Sequence, residues 1–65
     1  MKVYCVFDDY TSPYPEDCGK TLGKIFDSKE KAESYIEEQK ESGYYYFDEE
    51  YECSLQGIII PFDVL

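Results

Sequence analysis

The sequence has no arginine, histidine, tryptophan or asparagine, and six lysines stand against fifteen aspartates and glutamates. Each shortage narrows the function. Without histidine, no side chain has an ordinary pKa suited to proton transfer near neutral pH, so an enzyme of usual design is not expected. Without arginine, and with a net charge of −9, the chain lacks the clustered cations that hold phosphate, so it is not expected to bind nucleic acid directly. Cysteine is scarce and odd in number: Cys5, Cys18 and Cys53 show no CxxC spacing. A disulfide framework needs even pairing and a zinc site needs closely spaced ligands, usually with histidine. Reduced thiols in a cytoplasmic protein are therefore expected, with a Cys5–Cys53 bond left open should their strands be neighbours. Long apolar runs are also missing. The longest, Ile58–Phe62, falls far short of the ~20 residues that cross a bilayer. The opening MKVYCVFDDY is too short and too acidic for a signal peptide. No membrane partner is expected.

What the sequence does hold is acid and tyrosine. Eight of its twelve aromatic residues are tyrosines. At 65 residues one domain is the ceiling, since domains usually reach about 100 residues. A chain this short buries only about 60% of its unfolded surface, so its stability is marginal.

Lys2–Phe7 is dense in Val, Tyr and Phe and apolar on both alternating sets, which predicts a central strand. Residues 8–20, with Pro13, Pro15 and Gly19, read as a loop. Thr21–Phe26 reads as a second, antiparallel strand, with Leu22 and Phe26 on one face, Ile25 on the other and Gly23 marking a bulge or a close backbone approach. Residues 27–42 predict a helix. Asp27 or Ser28 caps it, Asp27 and Glu30 have capping-box spacing, and Gly43 suits a left-handed end. Ala32, Tyr35, Ile36 and Gln39 form its inward stripe. Tyr44–Leu55 reads as one long strand or a hairpin. Gly57 breaks the pattern, and Ile58–Ile60 supplies a last strand that Pro61 confines to an edge or ends. The expected fold is α+β: an antiparallel sheet of three or four strands with one helix across it. The expected core is Val3, Cys5, Phe7, Leu22, Phe26, Ala32, Tyr35, Ile36, Tyr45 and Phe47.

The KVY opening and the segment IFDSKEKAESYI, from Ile25 to Ile36, resemble a class of short phage and bacterial proteins with a β-β-α-β pattern. The resemblance covers Lys2–Tyr51 and implies a small sheet with one helix, with no established chemistry. In size and charge the chain is similar to acidic inhibitors that imitate DNA: those of uracil-DNA glycosylase, some anti-CRISPR proteins and anti-restriction proteins. That likeness is compositional and implies no individual residue.

Three constellations carry the functional expectation. The first is Asp48, Glu49, Glu50 and Glu52 with Tyr44, Tyr46 and Tyr51. Read as a strand, its alternate carboxylates lie ~7 Å apart, a spacing similar to that of phosphates along one DNA strand, and tyrosine adds rigid contact area. The other reading is a solvated face that blunts an edge. The second is the helix row Glu30, Glu33, Glu37, Glu38 and Glu41, in which like charges four apart each cost roughly 0.2–0.5 kcal/mol. It reads either as solvent-facing or, with Glu37, Glu38 and Glu41, as an extension of the first surface. The third is the apolar end of the chain, residues 57–65, where Ile58, Ile59, Ile60 and Phe62 either complete the core or form an apolar interface. Asp8-Asp9 and Glu16-Asp17 do not follow the EF-hand pattern and read as loop acidity. No catalytic residue, cofactor or metal is assigned. The leading expectation is a non-enzymatic inhibitor that blocks the DNA- or RNA-binding surface of a basic host enzyme. Its rival is a phage accessory or scaffold protein that assembles as a homodimer or with other chains through the apolar segment.

Overall fold

Alternation along the strands decides the architecture. In the computed structural model, which describes Met1–Leu65, β1 (Lys2–Thr11), β2 (Gly19–Phe26), β3 (Tyr46–Asp48) and β4 (Cys53–Asp63) form one antiparallel sheet. The spatial order is β2-β1-β4-β3. The helix α1 (Lys29–Ser42) lies across one face, giving an α+β fold with β1 central, as its two apolar sets predict. Pro15–Asp17 forms a short 3-10 turn in the β1–β2 connection.

Residues paired across antiparallel strands share a face. Tyr4, Val6, Asp8 and Tyr10 pair with Pro61, Ile59, Gly57 and Leu55 of β4. This is the helix side: Val6 and Ala32 are fully buried, and Phe26 and Tyr35 stack with ring centroids 5.4 Å apart. Val3, Cys5, Phe7, Asp9 and Thr11 pair with Phe62, Ile60, Ile58, Gln56 and Ser54 on the opposite face, over which no helix lies.

Several expectations need correction. β1 does not stop at Phe7, and residues 8–20 are not all loop: β1 runs to Thr11 and β2 begins at Gly19. Ladder pairing with β4, continuous from Lys2 to Thr11, overrides the acidic composition of Asp8 and Asp9. The register shifts between Val6 and Phe7, where Lys24 pairs with Val6 and Leu22 with Phe7. Gly23 is thus the bulged residue, as expected, but the bulge turns Leu22 to the side of Ile25 rather than Phe26. Leu22 is consequently exposed, as is Phe47, so neither belongs to the core. Gly57 sits inside β4 instead of breaking it. Pro61 also lies within β4, in a stretch that three-residue β3 does not reach, so its missing N–H leaves no ladder bond unmade.

The helix starts at Lys29, one residue inside Ser28, whose Oγ accepts the Lys31 amide N–H at 3.3 Å. The capping box of Asp27 with Glu30 does not form. Asp27 lies one step too early and pairs with the Lys31 ammonium at 3.0 Å, which holds its carboxyl below the usual range. Gly43, at φ 87°, ends the helix as expected, its N–H donating to Gln39 and Lys40 carbonyls. The peptide N–H groups of Tyr44 and Tyr45 then donate to the Gln39 carbonyl, at 3.0 and 3.2 Å, and aim both rings back at the sheet.

Candidate partner-binding surface

Tyr44–Leu55 is a hairpin, not one strand. Asp48 pairs with Cys53, leaving Glu49–Glu52 as a four-residue loop. Asp48 Oδ1 accepts the amide N–H groups of Glu50 at 3.0 Å and Tyr51 at 3.3 Å, the usual way an aspartate nucleates a turn. Glu52 closes the loop in the left-handed region at φ 54°. The expected ladder of alternate strand carboxylates through Asp48, Glu49, Glu50 and Glu52 is therefore absent: one of the four is a strand residue and caps the turn, and three project from the loop. A side chain at positive φ costs roughly 1–2 kcal/mol that glycine avoids. Glu52→Gly is expected to stabilise the protein by about 0.5–1 kcal/mol after its own entropy cost, read as a higher urea midpoint.

The hairpin tip meets the β1–β2 connection. Tyr10, Tyr14 and Asp17 face Glu50, Tyr51 and Glu52 across a cleft, with Cys53 at its wall. Two acidic segments distant in sequence thus converge at one pole of a molecule whose longest dimension is 42 Å. No lysine lines that cleft. Burial first, and then the neighbouring Cys53 thiol, push the Tyr10 phenol above its ordinary pKa. The sequence marked Glu16 and Asp17 only as loop acid and gave Tyr10 and Tyr14 no role, because nothing local signals that the loop and the hairpin meet.

The helix row survives as an exposed surface. Glu30, Glu33, Glu37, Glu38 and Glu41 are all exposed, and the first four frame a shallow hollow with Ser34 and no apolar lining. Lys40 approaches Glu37 only to 3.9 Å, with both groups largely in solvent, an arrangement worth little. The other lysines of this region gather toward the start of the helix. Lys2 and Lys29 flank a hollow with Tyr4, and Lys24 lies 5.4 Å from the Tyr35 ring centroid. The helix and the hairpin pole are joined by Tyr44 and Tyr45 rather than by a shared strand edge.

Those two tyrosines converge on Asp8. The Tyr44 hydroxyl donates to Asp8 Oδ2 at 2.6 Å and the Tyr45 hydroxyl to Oδ1 at 2.7 Å. Tyr45 is 5% exposed, and its ring lies against Gly57. Its phenol is pushed well above the ordinary range, first by burial and then by Asp8, while for Tyr44 the bond to Asp8 is the leading cause. Tyr44, expected as a partner contact, is thus partly engaged within the fold. Tyr46 and Tyr51 remain exposed. Asp8 and Asp9 point to opposite faces, so they do not close a site with Glu16 and Asp17. The molecule holds no group of three His, Cys, Asp or Glu side chains able to take a metal ion.

The apolar segment divides between the faces. Ile58, Ile60 and Phe62 lie on the helix-free face, and Ile59 lies under the helix opposite Val6. Cys5 pairs with Ile60, seven positions from Cys53 and on the other face, ~23 Å along the strand, so the open question of a Cys5–Cys53 bond resolves against it. All three cysteines are free. No helix is long and apolar enough to cross a membrane. Comparison with protein-family models, curated proteins and solved structures finds no match.

Proposed function

We propose that the protein is a non-enzymatic inhibitor that occupies the nucleic-acid-binding surface of a basic host enzyme in the cytoplasm. The observation that carries this reading is the density of charge along the helix. Five exposed carboxylates lie between Glu30 and Glu41, about 16 Å of axis at ~1.5 Å per residue. That is about one per 4 Å, against one phosphate per ~3.4 Å of axis for a single DNA strand. A solvent-facing helix tuned for stability alone would interleave lysines. Here Lys31 and Lys40 stand in the same stretch against five carboxylates, with Lys24 and Lys31 beside Glu30 and Glu38. The self-repulsion is thus only partly offset, and the acidic pole with Tyr51 and Tyr46 extends the surface. A basic groove would be steered to it quickly and in a salt-dependent way. Uracil-DNA glycosylase, a CRISPR effector nuclease and a restriction enzyme are the targets to try first.

Two charge reversals separate the contributing surfaces. Glu37→Lys with Glu41→Lys is expected to weaken inhibition by roughly a hundredfold, and Glu49→Lys with Glu50→Lys by roughly tenfold. Helical circular dichroism should be retained in both. Inhibition unchanged by both pairs would refute the mimicry.

A further inference from the structure

The face of the sheet opposite the helix carries Val3, Phe7, Ile58 and Ile60 at its centre. Around them, Leu22, Ile25, Phe47 and Phe62 are 49%, 57%, 67% and 47% exposed. A domain ordinarily buries an apolar sheet face under a second layer, and within this chain nothing supplies one. We propose that a second copy of this chain covers the face, pairing sheet to sheet with both helices outermost. The inference is independent of the inhibitor reading.

Charge and area favour a second copy over a basic partner. The chain carries −9, yet the paired ladders put two charged residues on this face, Asp9 and Lys20, of opposite sign and directly paired. A cationic protein drawn by the net charge finds nothing to grip here, whereas an identical neutral face meets no repulsion. Two sheets pack about 10 Å apart with strands near −30°. Each helix then lies beyond its own sheet, more than ~20 Å from its counterpart, which exceeds the ~8 Å Debye length at physiological salt. The accessible surface is 4871 Å² for 7.7 kDa, against about 4,300 Å² for an average monomer of that mass. The excess of roughly 500 Å² is of the order of the ~800 Å² that each partner gives to a standard interface.

Sedimentation equilibrium of the intact chain, from low to high micromolar, tests this directly. The expected result is a species of twice 7.7 kDa and a thermal midpoint that rises with concentration. Leu22→Lys with Ile25→Lys should weaken the dimer roughly a hundredfold although it lowers the net negative charge, while Glu37→Lys with Glu41→Lys should leave it intact. Should the first pair disturb the circular dichroism, Ile25→Thr, β-branched and exposed, is the milder variant and should also weaken association. A wild-type chain monomeric at every concentration would overturn the proposal, even if the face then bound another macromolecule. So would a dimer insensitive to these folded variants.

Discussion

Gly57→Ala is expected to lower the unfolding free energy by about 1–3 kcal/mol, the usual cost of overfilling a packed site. A Cβ at this position would lie 2.5 Å from Tyr45 Cε2, 2.7 Å from Cζ and 2.8 Å from the hydroxyl oxygen. An exposed ring would swing aside at little cost. This one is buried, tied to Asp8 through its hydroxyl, and held by a backbone anchored at the helix end. The methyl must therefore shift the ring, its bond or β4 itself. A chain of 65 residues has roughly 3–10 kcal/mol of total stability, so the change takes a large share. Urea unfolding should show a lower midpoint at unchanged slope. An unchanged midpoint would mean that the Tyr45 ring moves aside freely and is not held against Gly57.

Asp8→Ala is expected to cost about 2–4 kcal/mol, because it removes the acceptor of two hydroxyls and leaves the buried one unpaired. Tyr45→Phe should cost less, about 1–2 kcal/mol, since Asp8 keeps the more exposed Tyr44. Tyr44→Phe should cost less again. The same trio sets an alkaline limit. Folding raises the pKa of both tyrosines, so the unfolded chain loses those protons first. Their contribution is whole below the ordinary tyrosine pKa of about 10 and is lost as pH rises from there through the raised folded values. Unfolding followed by circular dichroism should therefore become easier above about pH 10, and Tyr45→Phe should flatten that dependence. A steeper alkaline loss in the phenylalanine variant would contradict this assignment.

Elements with a strong local signal were legible in the sequence. The helix was readable within two residues because the 3.6-residue stripe of Ala32, Tyr35, Ile36 and Gln39 coincides with Ser28 and Gly43 at its ends. The central place of β1 followed from its two apolar faces. What failed depended on long-range pairing. The acidic Asp8 and Asp9 read as loop, yet ten residues of ladder with β4 hold them in strand. Leu22 changed face because a bulge at Gly23 shifts a period of two by one. Gly57 read as a break because the ring that needs its missing side chain comes from twelve residues upstream. The candidate surface was half legible. The helix carboxylates stand where periodicity put them, but alternation alone could not distinguish a strand from the turn that Asp48 caps. The pole formed with Tyr10, Tyr14 and Asp17 depends on two loops meeting across the end of the sheet, which leaves no trace in either segment.

Salt-graded capture from bacterial lysate, followed by competition with labelled DNA or RNA on the captured enzyme, tests the central claim most directly. The account predicts a nucleic-acid-processing enzyme that is retained at low salt and released at high salt. The wild-type chain should displace its labelled substrate, and the Glu37→Lys, Glu41→Lys chain should not. Capture that withstands high salt, or substrate that stays bound at saturating protein, would contradict it.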